Sequence, residues 1–202
     1  AWTMRGMENI LADMAEHPRF VDELLEAICD WNLVVLDQAL QYPVDGIYFG
    51  DDWGAQRGLI MGAANWRRFI KPRLARLYSV VRQSGRRVFI HSCGDIQEIL
   101  PDLLEIGLHV FNPFQPEVMD VVATQRKYQG KLCFFGGISI QQTLPYATTD
   151  QVRSTVRQMI RVLGRGGGYI LAPAHAIPKD VPPENIVAML HELQNQPRKL
   201  AK

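Results

Sequence analysis

Short apolar runs alternate with longer helical patterns along the chain, and this alternation is the strongest constraint on its fold. Near-continuous hydrophobicity, typical of buried strands, marks the runs 46–50, 87–90, 108–111, 132–135 and 168–171. Amphipathic spacing predicts helices over 7–16, 18–41, 64–83, 96–105, 118–128, 149–163 and 183–194. Strands of this kind that alternate with helices indicate an α/β fold with a parallel sheet covered on both faces.

Two architectures fit this alternation, a doubly wound sheet and a (β/α)8 TIM barrel. The polar clusters with candidate chemistry all follow strands, as they do in barrel enzymes, whose active sites lie at the C-terminal face of the barrel. We therefore expect a barrel. Five strands cannot close one, and a complete barrel usually needs about 250 residues. Because the chain also opens at Ala1 rather than Met, we expect residues 1–202 to be one N-terminally incomplete domain, the C-terminal five βα units.

Composition narrows the class of function. The chain has 22 Lys and Arg against 21 Asp and Glu, so its net charge of +1 gives no field that would gather nucleic acid or an anionic membrane. No run approaches the roughly 20 apolar residues of a membrane-spanning helix, and the N-terminus lacks a secretion signal. Three cysteines, an odd number, favour reduced thiols over a disulfide framework. We expect a cytoplasmic protein with small-molecule chemistry.

The sharpest chemical signal is His91 and Cys93, which leave the second predicted strand and enter a glycine turn. An imidazole and a thiol so placed offer the nitrogen and sulfur ligands that Zn²⁺ prefers. His175 is the further candidate of this kind at a strand end, and Asp51 or Asp52 could supply a fourth ligand. Three protein ligands with an open position describe a catalytic zinc. The alternative is that His91 bonds a carboxylate in a polar barrel mouth and Cys93 is a small buried filler.

Two further groups of polar residues follow strands. Asp51 and Asp52 come after the first, and adjacent acids in an extended segment point to opposite sides, so we expect only one to face the pocket. It could be a general acid or base, a metal ligand or a substrate anchor; the alternative is a turn acid that accepts backbone N–H bonds. Asn112 and Gln115 follow the third strand and are candidates for binding a cofactor. We expect a single residue of this segment to touch the ligand.

The sequence resembles the uroporphyrinogen decarboxylase superfamily over nearly its whole length. This resemblance implies a (β/α)8 barrel. The superfamily contains true uroporphyrinogen decarboxylases, which need no cofactor, and zinc-dependent methyltransferases that exchange methyl groups with a corrinoid protein. The motifs that carry the resemblance are Phe49–Gly54 (FGDDWG), Trp66–Pro72 (WRRFIKP), His91–Asp95 (HSCGD), Asn112–Pro116 (NPFQP) and Pro182–Ile186 (PPENI).

The His-x-Cys pair separates the two branches. In the methyltransferases such a pair and a later Cys hold Zn²⁺, and His91 and Cys93 match the pair. His175, between Ala174 and Ala176, stands where those enzymes have Cys between glycines. The resemblance thus implies a methyltransferase with zinc held by His91, Cys93 and His175. It also implies a corrinoid (cobalamin) as methyl carrier, and as partners a corrinoid protein and a small-molecule methyl donor or thiol acceptor.

Other interpretations stay open. A histidine in the late loop also occurs in the decarboxylases, where an acid at Asp51 or Asp52 would stabilise a protonated pyrrole without a metal. A non-catalytic binding subunit or truncated remnant is a further alternative, because five strands leave an open sheet edge. The oligomeric state is open too, with a homodimer among the alternatives.

Overall fold

A parallel sheet organises residues 1–196, the part of the chain that this computed structural model describes. The main sheet has the strand order β1-β4-β5-β6-β7, and every neighbouring pair is parallel. The strands are β1 (Gly46–Gly50), β2 (Gly54–Ala55), β3 (Gly58–Leu59), β4 (Arg87–His91), β5 (Val110–Phe114), β6 (Cys133–Ile138) and β7 (Tyr169–Pro173), of which β2 and β3 form a separate antiparallel hairpin. The order never reverses, so the sheet lacks the switch point of a doubly wound fold. The predicted α/β fold is confirmed, and the sheet is consistent with part of a TIM barrel.

Helices connect the strands of the main sheet. They are α1 (Trp2–Arg5), α2 (Met7–Glu16), α3 (Pro18–Ala39), α4 (Gly62–Asn65), α5 (Lys71–Gln83), α6 (Leu100–Glu105), α7 (Val121–Tyr128), α8 (Thr143–Tyr146), α9 (Thr149–Leu163) and α10 (Pro183–Gln194). The local sequence explains where two of these helices begin. Pro18 occupies the first turn of α3, and Thr148 and Gln151 form a capping box at the N-terminus of α9. Among the described residues, no helix combines the length and apolar character needed to cross a membrane.

The two faces of the main sheet differ in burial. Val88, Ile90 and Phe134 alternate onto the face packed against helices, and all three are fully buried. On the opposite face Tyr48 is 53% exposed and Ile170 is 40% exposed. The expectation of a sheet covered on both faces therefore holds for one face of the described residues, because strands that do not close a barrel leave its inner face partly open.

The strands reach further than the sequence predicted. β5 continues to Phe114 and β6 to Ile138, so Asn112 lies within a strand rather than after it. The prediction ended each strand at its first polar or glycine residue, but ladder hydrogen bonds join backbone groups whatever the side chain. The last residues of the predicted domain, 197–202, lie outside the described residues.

The long helix predicted over 64–83 is interrupted. A π-helical turn spans Trp66–Ile70 between α4 and α5, and the Lys71 N–H bonds the Trp66 carbonyl. Pro72 follows directly, and a proline can neither donate to the carbonyl four residues back nor pack closely against it. The wider turn accommodates this proline within a continuous helical path.

The β2–β3 hairpin lies against the loop that follows β4. The Gly54 N–H donates to the Cys93 carbonyl at 3.1 Å, and the Asp95 N–H donates to the Ala55 carbonyl at 2.8 Å. A Cβ on Gly54 would stand 2.5 Å from the Cys93 carbonyl oxygen and 2.7 Å from the Gly94 carbonyl carbon. Only a glycine lets the two backbones approach so closely.

Gly54→Ala should therefore destabilise the chain by about 2 kcal/mol, since backbone atoms would have to move apart. Gly50→Ala is the matched control, because a Cβ there meets nothing within 4 Å and neither glycine has a positive φ. Urea unfolding followed by circular dichroism measures both. Equal free energies of unfolding for the two variants would contradict the close approach.

Candidate metal centre

The three predicted metal ligands meet at the carboxyl ends of the strands. His91 ends β4, Cys93 follows two residues later, and His175 lies two residues beyond β7. One ligand atom from each lies within 4.8 Å of the other two, and His91 Nε2 is 3.3 Å from Cys93 Sγ. The structure thus brings all three together although Cys93 and His175 are 82 positions apart in the sequence.

The spacing of these atoms can be compared with a zinc site. Zn–N bonds of about 2.0 Å and Zn–S bonds of about 2.3 Å place tetrahedral ligand atoms roughly 3.3–3.8 Å apart. The pair from His91 and Cys93 already has this separation. His175 is exposed in the loop after β7, and its ligand atom lies within 4.8 Å of the other two. The donor set and its geometry fit zinc.

The ring of His91 is held by Asn112. Asn112 Nδ2 donates to the Phe135 carbonyl at 3.0 Å, which fixes the amide so that Oδ1 faces His91 Nδ1 at 2.7 Å. An amide oxygen only accepts, so Nδ1 carries the proton and Nε2 keeps its lone pair. The Tyr48 hydroxyl also donates to Asn112 Oδ1. A histidine that ligates a metal is commonly held in this way through its other nitrogen.

Cys93 is held by the neighbouring loop. Its N–H donates to Asp52 Oδ1 at 2.8 Å, and the same oxygen lies 3.7 Å from His91 Nε2. Burial, together with the nearby Asp52 carboxylate, raises the pKa of the Cys93 thiol to about 11. The thiol is therefore protonated at neutral pH in the metal-free chain. A bound cation favours the thiolate and releases that proton.

Two buried polar side chains hold the loop that follows β4 through hydrogen bonds to backbone N–H groups. Ser92 is fully buried, and its Oγ accepts from the Trp53 N–H at 3.0 Å. Gln115 is also buried, and its Oε1 accepts from the Gly94 N–H at 2.9 Å. Both residues predicted to bind a cofactor, Asn112 and Gln115, are thus placed where they position the His91–Gly94 segment.

The sequence prediction did not include Tyr48, and it gave Ser92, the middle residue of the predicted active-centre tripeptide His91–Cys93, no role of its own. Tyr48 pairs with Phe89 in the parallel register, which puts it on the same sheet face as His91. Strand alternation could have found this residue. Ser92 gave no signal of its own, because its role depends on the backbone of a distant loop.

Asp51 and Asp52 both line a cavity of about 120 Å³ that extends from the end of β1 to the N-terminal helices. This cavity is separate from the cluster of His91, Cys93 and His175, none of which lines it, so the expectation that one acid faces the site pocket stays a prediction. Asp51 Oδ2 accepts from Trp53 Nε1 at 2.9 Å, and burial raises the pKa of Asp51. Asp52 accepts a hydrogen bond from the Cys93 N–H, which matches the alternative interpretation of an acid that binds backbone N–H groups.

Curated relatives of the chain are uroporphyrinogen decarboxylases. The protein of that name from Methylococcus capsulatus is 23% identical over 191 residues, which cover 92% of this chain and 51% of the relative. The one from Nitrosococcus oceani is 26% identical over 193 residues, 89% of this chain and 50% of the relative. The chain spans about half the length of these relatives.

A solved structure titled methyltransferase from Methanosarcina mazei has a similar fold. The TM-score is 0.74 at 18% sequence identity, and the match covers 93% of this chain and 52% of that one. At this identity the likeness establishes the fold alone. The family model described as Uroporphyrinogen decarboxylase (URO-D) matches residues 1–196. The chain belongs to the uroporphyrinogen decarboxylase family.

Proposed function

We propose that the chain carries the zinc site of a methyltransferase that moves a methyl group between a small-molecule donor or thiol acceptor and a corrinoid. The observation that carries this proposal is the convergence of His91, Cys93 and His175, whose ligand atoms lie within 4.8 Å of one another. Three protein ligands leave an open coordination position, which is typical of catalytic zinc. The fold shared with a methyltransferase supports the same conclusion.

His91, Cys93 and His175 would hold the zinc, and Asn112 would keep the His91 ring in the required tautomer. When bound, the metal supplies a Lewis acid that ionises a thiol or polarises the oxygen of a methylated donor. Asp52, whose carboxylate contacts the Cys93 backbone and lies near His91, would orient the reacting group, together with Asp51. Gln115 would act on the site through the Gly94 backbone.

The corrinoid is the methyl carrier of this proposal and would be presented by a partner protein. A reduced corrinoid would supply the electron pair for the new bond to methyl, and the donor atom would keep the pair of the bond that breaks. His175 is exposed at the same end of the sheet, so a partner could approach from that side.

Metal analysis of the purified chain tests the zinc site. We expect about one zinc per chain, and Cys93→Ser should weaken zinc binding at least about tenfold, because serine replaces a thiolate with a poor ligand. Cys133→Ser is the matched control, since Cys133 is a partly buried thiol in β6 outside the cluster. A wild-type chain without stoichiometric zinc, or equal zinc content in Cys93→Ser and Cys133→Ser, would contradict the proposal.

Asn112→Leu tests the support of His91. The substitution removes the acceptor from His91 Nδ1 at nearly constant volume, so zinc affinity should fall by about 10- to 100-fold while the ligands stay in place. Competition with a chelator gives the affinity, and an unfolding curve verifies that the variant is folded.

Tyr48→Phe is the comparison for that variant, because it removes one hydroxyl and keeps the bond between Asn112 and His91. We expect its zinc affinity to change by no more than about threefold. A folded Asn112→Leu chain with wild-type zinc affinity would show that the ring needs no such support.

A second candidate function is decarboxylation of a uroporphyrinogen side chain, which the names of the curated relatives favour. In that reaction Asp51 or Asp52 would stabilise a protonated pyrrole, and no metal would take part. Purified protein should then form coproporphyrinogen from uroporphyrinogen in the presence of a chelator, and Cys93→Ser should retain that activity. Absence of the product eliminates this candidate.

A further inference from the structure

The cavity beside Asp51 has a small volume and mostly apolar walls. Its volume is about 120 Å³, and its apolar lining comes from α1, α2, α3 and the segment that leads into α5, including Trp2, Ile10, Met14, Ile28, Met61 and Ile70. An apolar cavity of about 150 Å³ is known to hold benzene. The space therefore suits a compact molecule of roughly five to seven heavy atoms.

Two carboxylates stand in this apolar wall. Asp51 Oδ2 accepts from Trp53 Nε1, and the described residues give its Oδ1 no hydrogen-bond partner. No Lys or Arg is among the described residues that line the cavity. The wall thus favours a positively charged group.

The ligand that matches these walls is a cation with an apolar surface. An anion would be repelled by the two acids, and a neutral molecule would leave their negative charges without a counter-ion. Lysine-like ammonium groups need several hydrogen-bond acceptors, whereas alkyl groups on nitrogen need only apolar contact. Trp2 and Trp53 are among the lining residues, and indole rings attract alkylated ammonium ions.

The cavity adjoins the candidate metal centre through Asp52. This residue lines the cavity, and its Oδ1 lies 2.8 Å from the Cys93 nitrogen and 3.7 Å from His91 Nε2. A cation held by the two acids therefore lies one side chain away from the metal ligands.

We propose that this cavity binds a small alkylated ammonium ion, with Asp51 and Asp52 as its counter-ions. Its role as the methylated reactant rests on the proposed function, whereas the binding itself does not. Binding can accordingly be measured on the chain without zinc.

Calorimetric titration of the metal-free chain compares choline with 3,3-dimethylbutan-1-ol, which has the same shape and no charge. We expect choline to bind at least about tenfold more tightly, because only the cation compensates the two carboxylates. Asp51→Asn keeps the side-chain shape and should abolish this preference. Asp45→Asn makes the same change of charge at an exposed turn before β1 and should leave it intact.

A further variant keeps the test decisive. Ile28→Trp fills the cavity and should remove binding of both probes. Equal affinities for the two probes, or choline binding unchanged by Asp51→Asn in a folded chain, would overturn the inference. Zinc content measured before the metal is removed separates this failure from a failure of the proposed function.

Discussion

The hydrogen bond between His91 and Asn112 is the contact on which the candidate site depends. The parallel register sets the two residues side by side in β4 and β5, and Asn112 in turn bonds the Phe135 carbonyl of β6 and the Tyr48 hydroxyl of β1. Four neighbouring strands thus orient one imidazole. The sheet itself, rather than a loop, fixes the Nε2 lone pair, so the exposed loop of His175 is left to adapt to the metal.

In the metal-free site the Cys93 sulfur is already in position for a metal, but its thiol is not yet ionised. Cys93 is placed by the Asp52 carboxylate and by the close approach of Gly54 to its carbonyl, so the sulfur stands near His91 before any metal binds. Its thiol, with a pKa raised to about 11, nevertheless keeps its proton at neutral pH. Metal binding must therefore release a proton, which makes affinity depend on pH as well as on position.

The sequence predicted the sheet, the order of helices and strands, and the three clustered ligands, because these rest on local hydrophobic periodicity and on residues at strand ends. It could not predict the β2–β3 hairpin, whose two-residue strands are too short to show a period. It also missed Tyr48, which looks like an ordinary strand aromatic until the register sets it beside Asn112. The support of Cys93 by Asp52 joins loops 41 residues apart, and no local pattern encodes such a contact.

Charge balance links the metal centre to the cavity beside it. Zinc held by one thiolate and two neutral imidazoles would carry one net positive charge, whereas a second thiolate in place of His175 would leave it neutral. An ammonium ion next to the positive centre would be repelled. Asp52 lines the cavity and also lies near His91, so its charge would offset both a bound metal and a cationic ligand. In this proposal the His175 ligand and the paired acids would form one electrostatic arrangement, in which a more strongly polarising metal would be compatible with a cationic reactant.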